Sequence, residues 1–507
     1  MKKMWKKLQE ELALERMPGR TTYYVLFVIL ILAAYVRVWR TDKILGFYYD
    51  QGRDAQVIWD FLHRGKLFLI GPTTGIEGIF RGPWYYWLIT PFYWLGRGDP
   101  VWPAVFLALT TVLALFVLFH LTYQISGKTG AFTALIIGSF SFFFVVAARW
   151  LSNPTPMFLI SMLLLYSMFL VIRGRKWAWV AIGFLLGLSM QFGSATEVFL
   201  FPAVLVFAMW QRRNLPNLRI FLLSAFLLSV TFIPQIWFDL KHEGILRQSV
   251  GKFLLGEQSF KLSFWDVLRI RSKFYLDVFG SKLFPTTGEY RNITALFLGA
   301  VFLLTATKLL KNKYFLAALL VFTSPLAGMI FFQGNHGNVY DYYFTGYYFV
   351  FVLVLASVCG LVARAWWGKI ILVIFIYFFL RDNLPVMKSY ISDNIDGPNT
   401  IAFGNQKQAL DWIYQDMGGC QKFNDDEYVP PVIPHAYKYL FTWYGGRVKS
   451  CAPVEQRENL LYTLYEVDPP HPERLDAWLA RQEGIGKVEK SARFGGITVE
   501  RRLRINE

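Results

Sequence analysis

The chain has 507 residues, of which 55% are hydrophobic, 18% aromatic and only 17% charged. Soluble domains carry nearer a quarter charged residues, so this composition argues against a soluble core and predicts an all-α polytopic membrane protein. The net charge of +17 would suit nucleic acid, but the basic residues cluster in short loops between apolar runs. That clustering is what orientation by cytoplasmic Lys and Arg requires, and it argues against a nucleic-acid partner.

The first segment, residues 1–20, interleaves four lysines with apolar side chains. This pattern predicts an amphipathic helix on the cytoplasmic surface of the membrane. A cleaved signal peptide is the alternative, but Arg37 and Arg40 follow the first apolar run directly and no small-residue cleavage site is present.

Apolar runs then continue to about residue 388. If the N-terminus and the basic loops are cytoplasmic, these runs predict eleven spans and place the C-terminal segment outside the cell, in an inner (plasma) membrane protein. We expect a transmembrane domain over 21–390 and an extracytoplasmic α/β domain over 391–507. The predicted spans cover residues 22–39, 101–122, 130–148, 154–172, 176–191, 195–210, 218–237, 293–308, 313–332, 343–364 and 368–388.

The stretch from Pro83 to Leu95 is left out of that count because it is short, aromatic-rich and interrupted by Pro91. Its length and composition predict a juxtamembrane helix at the outer interface. A span here would turn every later basic loop outward, against the charge pattern. The outer segment 238–291 mixes basic and apolar residues, and we expect it to hold further interfacial helices.

The tail predicts a small α/β domain. Its two cysteines, Cys420 and Cys451, either form a disulfide in an exported domain or remain free thiols. The predicted elements are helices over 406–417 and 472–482, a strand over 459–467 and two strands that meet at Gly495 and Gly496.

The densest group of charged residues follows the first span. Asp50, Arg53 and Asp54 would share one face of a helix that begins here. A carboxylate at the membrane surface can accept a proton from a hydroxyl group, and a neighbouring guanidinium suits phosphate. The alternative is an N-capping aspartate with a surface ion pair.

Arg81 lies just before the interfacial helix, with Glu77 nearby. It could bind a lipid phosphate or act as an interfacial anchor, and Glu77 could pair with it. Supporting candidates at the outer ends of other segments are Arg149, Asn153, His242 and His336; the alternative is that they face lipid headgroups.

Two further kinds of site are not indicated by the sequence. No spacing of His, Cys and acidic residues predicts a metal centre, so we expect no certain cofactor, although a divalent metal is compatible with the sequence. No glycine-rich phosphate loop is present either, which favours a lipid-linked donor over a nucleotide sugar.

Residues 50–55 (DQGRDA) and 80–87 (FRGPWYYW) together resemble the GT-C membrane glycosyltransferases, above all protein O-mannosyltransferases and lipid A aminoarabinose transferases. The resemblance implies a polyprenyl-phosphate sugar donor, a protein, lipid or glycan acceptor, and inversion at the anomeric carbon. It also implies that Asp50 is the catalytic carboxylate and that Arg53 and Arg81 contact the donor phosphate.

The sequence departs from this pattern in three places. Gly82 stands where a proline is usual, Gln51 where a glutamate is common, and Asn153 in the region where many relatives have a second aspartate. The last departure weakens the case for a metal site or a carboxylate dyad.

We therefore expect a glycosyltransferase that transfers a hexose such as mannose. The alternative is a polytopic transporter or lipid flippase. Transporters gather charges near the bilayer midplane and often contain internal repeats, whereas here the charges lie toward one face and no repeat is visible.

Overall fold

The computed structural model describes residues 15, 18–76, 78–252, 259–286, 306–332, 334–393, 395–430 and 433–505. The described chain is mainly helical and carries one small sheet near its C-terminal end, so the predicted fold class is confirmed. The predicted N-terminal amphipathic helix and most of the predicted span 293–308 lie outside the described residues.

The α-helices of the described residues are numbered in chain order. They are α1 Arg20–Val38, α2 Thr41–Ile44, α3 Tyr49–Arg64, α4 Trp84–Leu95, α5 Val101–Phe140, α6 Phe142–Ala148, α7 Met157–Ile172, α8 Ala178–Phe192, α9 Leu200–Trp210, α10 Leu218–Val230, α11 Ile233–Lys241, α12 Ile245–Gly251, α13 Phe264–Ser281, α14 Lys313–Ile330, α15 Tyr348–Val362, α16 Trp366–Lys388, α17 Phe403–Met417, α18 His435–Leu440 and α19 Pro472–Glu483.

Several of these helices have the length and hydropathy needed to cross a bilayer. Within the part of the chain that the structure describes, five helical segments are long and apolar enough to span, and a sixth is formed if α10 and α11, bent by 48°, are one span. Helices α7 and α8 are apolar but shorter, as is the helical segment 195–210. The protein is thus a multi-pass membrane protein, while the count of eleven spans stays a prediction.

Helix α5 contains two of the predicted spans, because its chain reverses direction at Gly127, where φ is 80° and the backbone is not helical. Leu115 lies against Gly138, so the two halves pack side by side. The buried Arg37 of α1 donates to the hydroxyl of Thr111 at 3.1 Å and to the carbonyl of Gly138 at 2.7 Å. This arginine ties α1 to both halves of the hairpin.

Helices α3 and α4 lie between the first two apolar segments. Helix α3 begins with a capping box, in which the Gln51 side chain accepts the N–H of Tyr48 at 3.2 Å, and it ends at Gly65 with a left-handed φ of 66°. Helix α4 has 12 residues and is ~18 Å long, too short for a hydrocarbon core of about 30 Å. Its length agrees with the predicted juxtamembrane helix.

The C-terminal region contains a four-stranded sheet in the order β1-β2-β4-β3, in which β1 and β2 are parallel and the other pairs antiparallel. The predicted helices, the predicted strand and the hairpin are present, whereas β1 and α18 were not predicted. Of the two alternatives for the cysteines, the structure has the disulfide between Cys420 and Cys451. The strands are β1 Asn424–Tyr428, β2 Leu460–Glu466, β3 Gly486–Phe494 and β4 Ile497–Arg504.

This C-terminal region packs directly on the segment that carries α3. The amide of Gln406 donates to the carbonyl of Phe47 at 2.9 Å, and the N–H of Phe403 donates to the carbonyl of Leu45 at 2.9 Å. On the other side, a β-carbon added to Gly52 would lie 2.4 Å from the backbone nitrogen of Ala436 in α18. Glycine is therefore needed for α3 and α18 to approach this closely.

Candidate functional site

Arg53 joins the two carboxylates at the start of α3. Its guanidinium lies 2.9 Å from Asp50 and 2.8 Å from Asp54, so the three side chains predicted to share a face are in contact. The Asp50 side chain is 58% exposed, whereas that of Asp54 is 9% exposed. Asp50 is therefore accessible from solvent, while the buried Asp54 fixes the position of the Arg53 guanidinium.

Asp54 is fixed on its other side by the Tyr86 hydroxyl of α4, which donates to it at 2.8 Å. Burial raises the pKa of Asp54 to about 6, although the charge of Arg53 acts in the opposite direction. The ionised carboxylate therefore depends on Arg53 for its stability, and α3, α4 and Arg53 form one polar unit.

The loop before α4 folds into a hairpin that brings Arg81 toward this unit. The Gly71 N–H donates to the Arg81 carbonyl at 2.8 Å, and the Arg81 N–H donates to the Pro72 carbonyl at 3.3 Å. Between them, the hydroxyl of Thr73 accepts from Arg53 at 2.6 Å. The hairpin thus connects the two arginines that the sequence analysis selected.

Gly82 has a specific role in holding that hairpin. Its N–H donates to the buried side chain of Gln191 at 2.8 Å, and Gln191 donates to Gln235 at 2.8 Å. Gln235 in turn donates to the Phe80 carbonyl at 2.9 Å. A proline would lack the N–H, and a β-carbon here would lie 2.1 Å from Gln191, so the departure at Gly82 has a physical reason.

The guanidinium of Arg81 is half-buried and makes no side-chain hydrogen bond with any residue that the structure describes. Burial lowers its pKa, and the nearby charge of Glu197 opposes that effect. Tyr342 and Tyr343 also lie within electrostatic reach. An arginine keeps its charge at neutral pH, so its donors are available to an anion.

Glu197 was not selected from the sequence. It is buried, and it accepts from the Thr196 hydroxyl at 3.2 Å and from the N–H of Ser194 in a capping box. The signal that could have found it is a lone acid within the apolar run 195–210, since such residues are costly in a membrane and mark functional sites.

The C-terminal region contributes His435 to the same surface. Its ring packs edge-on against Tyr49, with centroids 4.7 Å apart. Burial lowers the pKa of His435, and the charges of Lys438 and Arg53 act in the same direction. No sequence signal could have placed this histidine beside α3, because the contact joins segments nearly 400 residues apart.

Two of the supporting candidates bind backbone instead of the arginine–carboxylate cluster. Arg149 donates to the carbonyls of Val36 at 2.9 Å and Trp39 at 2.8 Å, at the end of α1. Asn153 donates to the carbonyl of Phe192 at 2.7 Å, at the end of α8. Both contacts satisfy carbonyls that the helix ends leave open.

The two histidine candidates lie apart from Asp50. His242 stacks on Phe238 at 4.0 Å, and Phe238 packs edge-on against Phe80, the neighbour of Arg81. The backbone N–H of His336 donates to the Ser259 hydroxyl at 2.8 Å, and this contact involves none of Asp50, Arg53 and Asp54. Glu77 lies outside the described residues.

Within the ranges that the structure describes, no group of three or more His, Cys, Asp or Glu side chains could hold a metal ion. The groups on this surface that could act on a substrate are an exposed carboxylate, two guanidinium groups, a histidine and tyrosine hydroxyls. A carboxylate beside cations can accept a proton and stabilise a phosphate.

Residues 81–238 match the family profile of dolichyl-phosphate-mannose-protein mannosyltransferase. The fold is similar to that of ArnT from Cupriavidus metallidurans, both bound to undecaprenyl phosphate (TM-score 0.56, 13% identity) and in the apo state (0.57, 12%). Each alignment covers 95% of this chain and 98% of that chain. No curated protein sequence matches significantly.

These findings confirm the resemblance to GT-C membrane glycosyltransferases that the motifs indicated. An alignment at 12–13% identity establishes the shared fold, and the family profile begins at Arg81 and so does not include α3. The oligosaccharyltransferase of Archaeoglobus fulgidus aligns at a TM-score of 0.48 with 13% identity over 92% of this chain and 71% of that chain, and we infer nothing from that likeness.

Proposed function

We propose that this protein is an inverting glycosyltransferase that moves a sugar from a polyprenyl-phosphate donor to an acceptor hydroxyl at the outer face of the inner membrane. The observation that carries the proposal is the exposed carboxylate of Asp50, held 2.9 Å from Arg53 and linked through the Thr73 hairpin to Arg81, whose guanidinium has no side-chain partner among the described residues. The GT-C fold and the match to a mannosyltransferase family support it.

In this mechanism Asp50 accepts the proton of the acceptor hydroxyl. The acceptor oxygen attacks the anomeric carbon from the side opposite the phosphate, so a new carbon–oxygen bond forms as the bond to phosphate breaks. A displacement from the opposite side inverts the anomeric configuration. The bonding electrons leave with the phosphate oxygen, and the product lipid is a polyprenyl phosphate.

The two arginines have different tasks in this step. Arg53 already pairs with both carboxylates, so it positions Asp50 and shares its remaining donors with the phosphate. The guanidinium of Arg81 has no hydrogen-bond partner among the described residues and supplies a cationic donor set. Such groups stabilise the charge that develops on the leaving phosphate, and one such donor is worth about 3–4 kcal/mol of transition-state stabilisation.

We further propose a hexose such as mannose as the sugar and a protein, lipid or glycan as the acceptor. Mannose is supported by the match of residues 81–238 to a family of mannosyltransferases. A lipid carrier is supported by the ArnT structure, which contains undecaprenyl phosphate. Membrane lipids surround the donor path, which would run along the aromatic helix α4.

The proposal is tested with purified protein and a labelled polyprenyl-phosphate hexose. Asp50→Asn should leave a folded protein whose transfer rate is lower by about a hundredfold or more, because the proton acceptor is lost. The matched control is Asp60→Asn on the same helix, where Asp60 pairs with Arg64 at 3.3 Å and Lys66 at 3.2 Å. The control should transfer at the normal rate.

Near-normal transfer by Asp50→Asn would remove Asp50 as the base. If the wild-type protein consumes no donor with any class of acceptor, the glycosyltransferase proposal is rejected and transport of the lipid is favoured.

A further inference from the structure

A cavity lined by two arginines lies at the opposite end of α3 from Asp50, where α3 and α4 both end. It has a volume of about 410 Å³ and is lined by His63, Trp94, Arg97 and Arg447, among others. His63 lies thirteen residues after Asp50, so the cavity is ~20 Å away along the helix axis. Arg447 belongs to the π-helical turn Phe441–Val448 of the C-terminal region, which closes the cavity.

The two arginines of this cavity have no carboxylate partner among the residues that the structure describes. Arg447 donates to Nε2 of His63 at 2.9 Å, while Nδ1 of His63 lies 3.1 Å from the Trp59 carbonyl. An arginine can only donate, so Nε2 of His63 is the acceptor of this hydrogen bond. Across the described ranges, neither Arg97 nor Arg447 forms an ion pair with a carboxylate.

The two guanidinium groups are not used to cap the end of α4 either. The N–H of Gly98 donates to the Tyr93 carbonyl at 2.8 Å, and Trp443 donates to the Arg97 carbonyl at 3.0 Å. The Tyr439 hydroxyl donates to the Gly98 carbonyl. Other donors therefore serve the carbonyls at the end of α4, and most guanidinium N–H groups of the cavity are left for a ligand.

The rim of the cavity is apolar. Of the lining residues, Trp94 is 67% exposed and Leu95 is 51% exposed, and Trp102, which lies beside Gly96 just outside the lining, is 51% exposed. Exposed tryptophan beside a helix that lies along the membrane surface is typical of the level of the lipid headgroups. A ligand that fits both features has an anionic headgroup and an apolar body.

We propose that this cavity binds the phosphate group of an anionic membrane lipid. Arg97 and Arg447 reach the phosphate from two sides with fork-shaped donor sets, while Trp94, Leu95 and Trp102 contact the upper part of the acyl chains. The bound lipid is neither donor nor product. It bridges the ends of α3 and α4 to the C-terminal region.

Native mass spectrometry of the full-length protein in detergent tests the proposal. The probes are phosphatidylglycerol, which is anionic, and phosphatidylcholine of the same chain length, which is zwitterionic. We expect the wild-type protein to retain phosphatidylglycerol at least tenfold more strongly, and the double variant R97Q/R447Q to lose that preference. Arg213→Gln, at an exposed arginine of the short 3-10 helix Arg212–Asn214, is the matched control and should keep that preference.

Further arms separate the alternatives. An R97K/R447K variant keeps the charge and should keep most of the preference, and an unchanged thermal transition in R97Q/R447Q excludes misfolding. Undiminished phosphatidylglycerol retention by R97Q/R447Q would overturn the proposal. So would displacement by millimolar inorganic phosphate, which would indicate a site for the free ion. Loss of the preference in Arg81→Gln would also overturn it, by assigning the lipid to the first site.

Discussion

Replacing Gly52 with alanine tests whether the C-terminal region positions the helix that carries Asp50. A β-carbon at position 52 would lie 2.4 Å from the nitrogen of Ala436 and 2.4 Å from the carbonyl carbon of His435. Both neighbours are backbone atoms of α18, so no side-chain rotation can relieve the contact. Either α18 or α3 must move.

The size of the effect follows from two opposing contributions. In a helix interior, alanine is favoured over glycine by about 1 kcal/mol. Overpacking against backbone typically costs about 1–3 kcal/mol. The expected net result for Gly52→Ala is a loss of up to about 2 kcal/mol in the docking of α18 on α3, together with slower sugar transfer. A matched control is Gly251→Ala in α12, where no described atom other than the chain neighbours and the helix's own backbone lies within 4 Å of the added carbon.

Hydrogen exchange of the α18 amides and thermal unfolding in detergent measure the result. Gly52→Ala should speed exchange in α18 and lower the transition temperature, whereas Gly251→Ala should leave α18 unchanged and be neutral or stabilising. If Gly52→Ala stabilises the protein as Gly251→Ala does, the close packing of α3 on α18 is refuted.

Three other predictions concern the hairpin, the C-terminal sheet and sidedness. Gly82→Pro leaves the buried Gln191 oxygen without its donor and should cost about 1–3 kcal/mol in denaturant unfolding, and an unchanged midpoint would contradict the role of Gly82. Burial raises the pKa of Glu466 from its usual value of 4.5 to about 7. The protonated carboxyl therefore contributes its full stability below about pH 4.5, and this contribution is lost as the pH rises through 7. Glu466→Gln should therefore be more stable than wild type at pH 8, by up to about 3 kcal/mol, and equal stability at that pH would reject this assignment. A cysteine at Leu67 should react with an impermeant thiol reagent in intact cells and one at Arg213 only in opened cells; the reverse pattern would invert the proposed topology.

Local sequence was sufficient where local forces decide the structure. Over the described residues, the apolar runs and the short basic loops predicted helices that the structure contains at the corresponding positions, because burial in lipid and charge placement act on each segment separately. The same holds for the hairpin at Gly495, where positive φ favours glycine. Strand β1 was missed because three of its five residues are acidic, which disfavours a strand until β2 provides a parallel partner.

At the site, the spacing of Asp50, Arg53 and Asp54 was sufficient to predict that they share a helix face. Which carboxylate is open and which is buried depended on Tyr86, and the path to Arg81 depended on Thr73. Neither contact leaves a signal in the sequence, because each joins side chains from separate elements.

The sequence by itself determined the membrane class, the helix-rich architecture and the group of charged residues that follows the first apolar segment. These follow from hydropathy and helical periodicity, which are properties of neighbouring residues. Only the tertiary structure decided that His435 lies beside Tyr49, that Glu197 lies near Arg81, and that Arg97 and Arg447 share a cavity. Each of these pairs is separated by more than one hundred residues, and packing of the whole chain alone sets the distance between them.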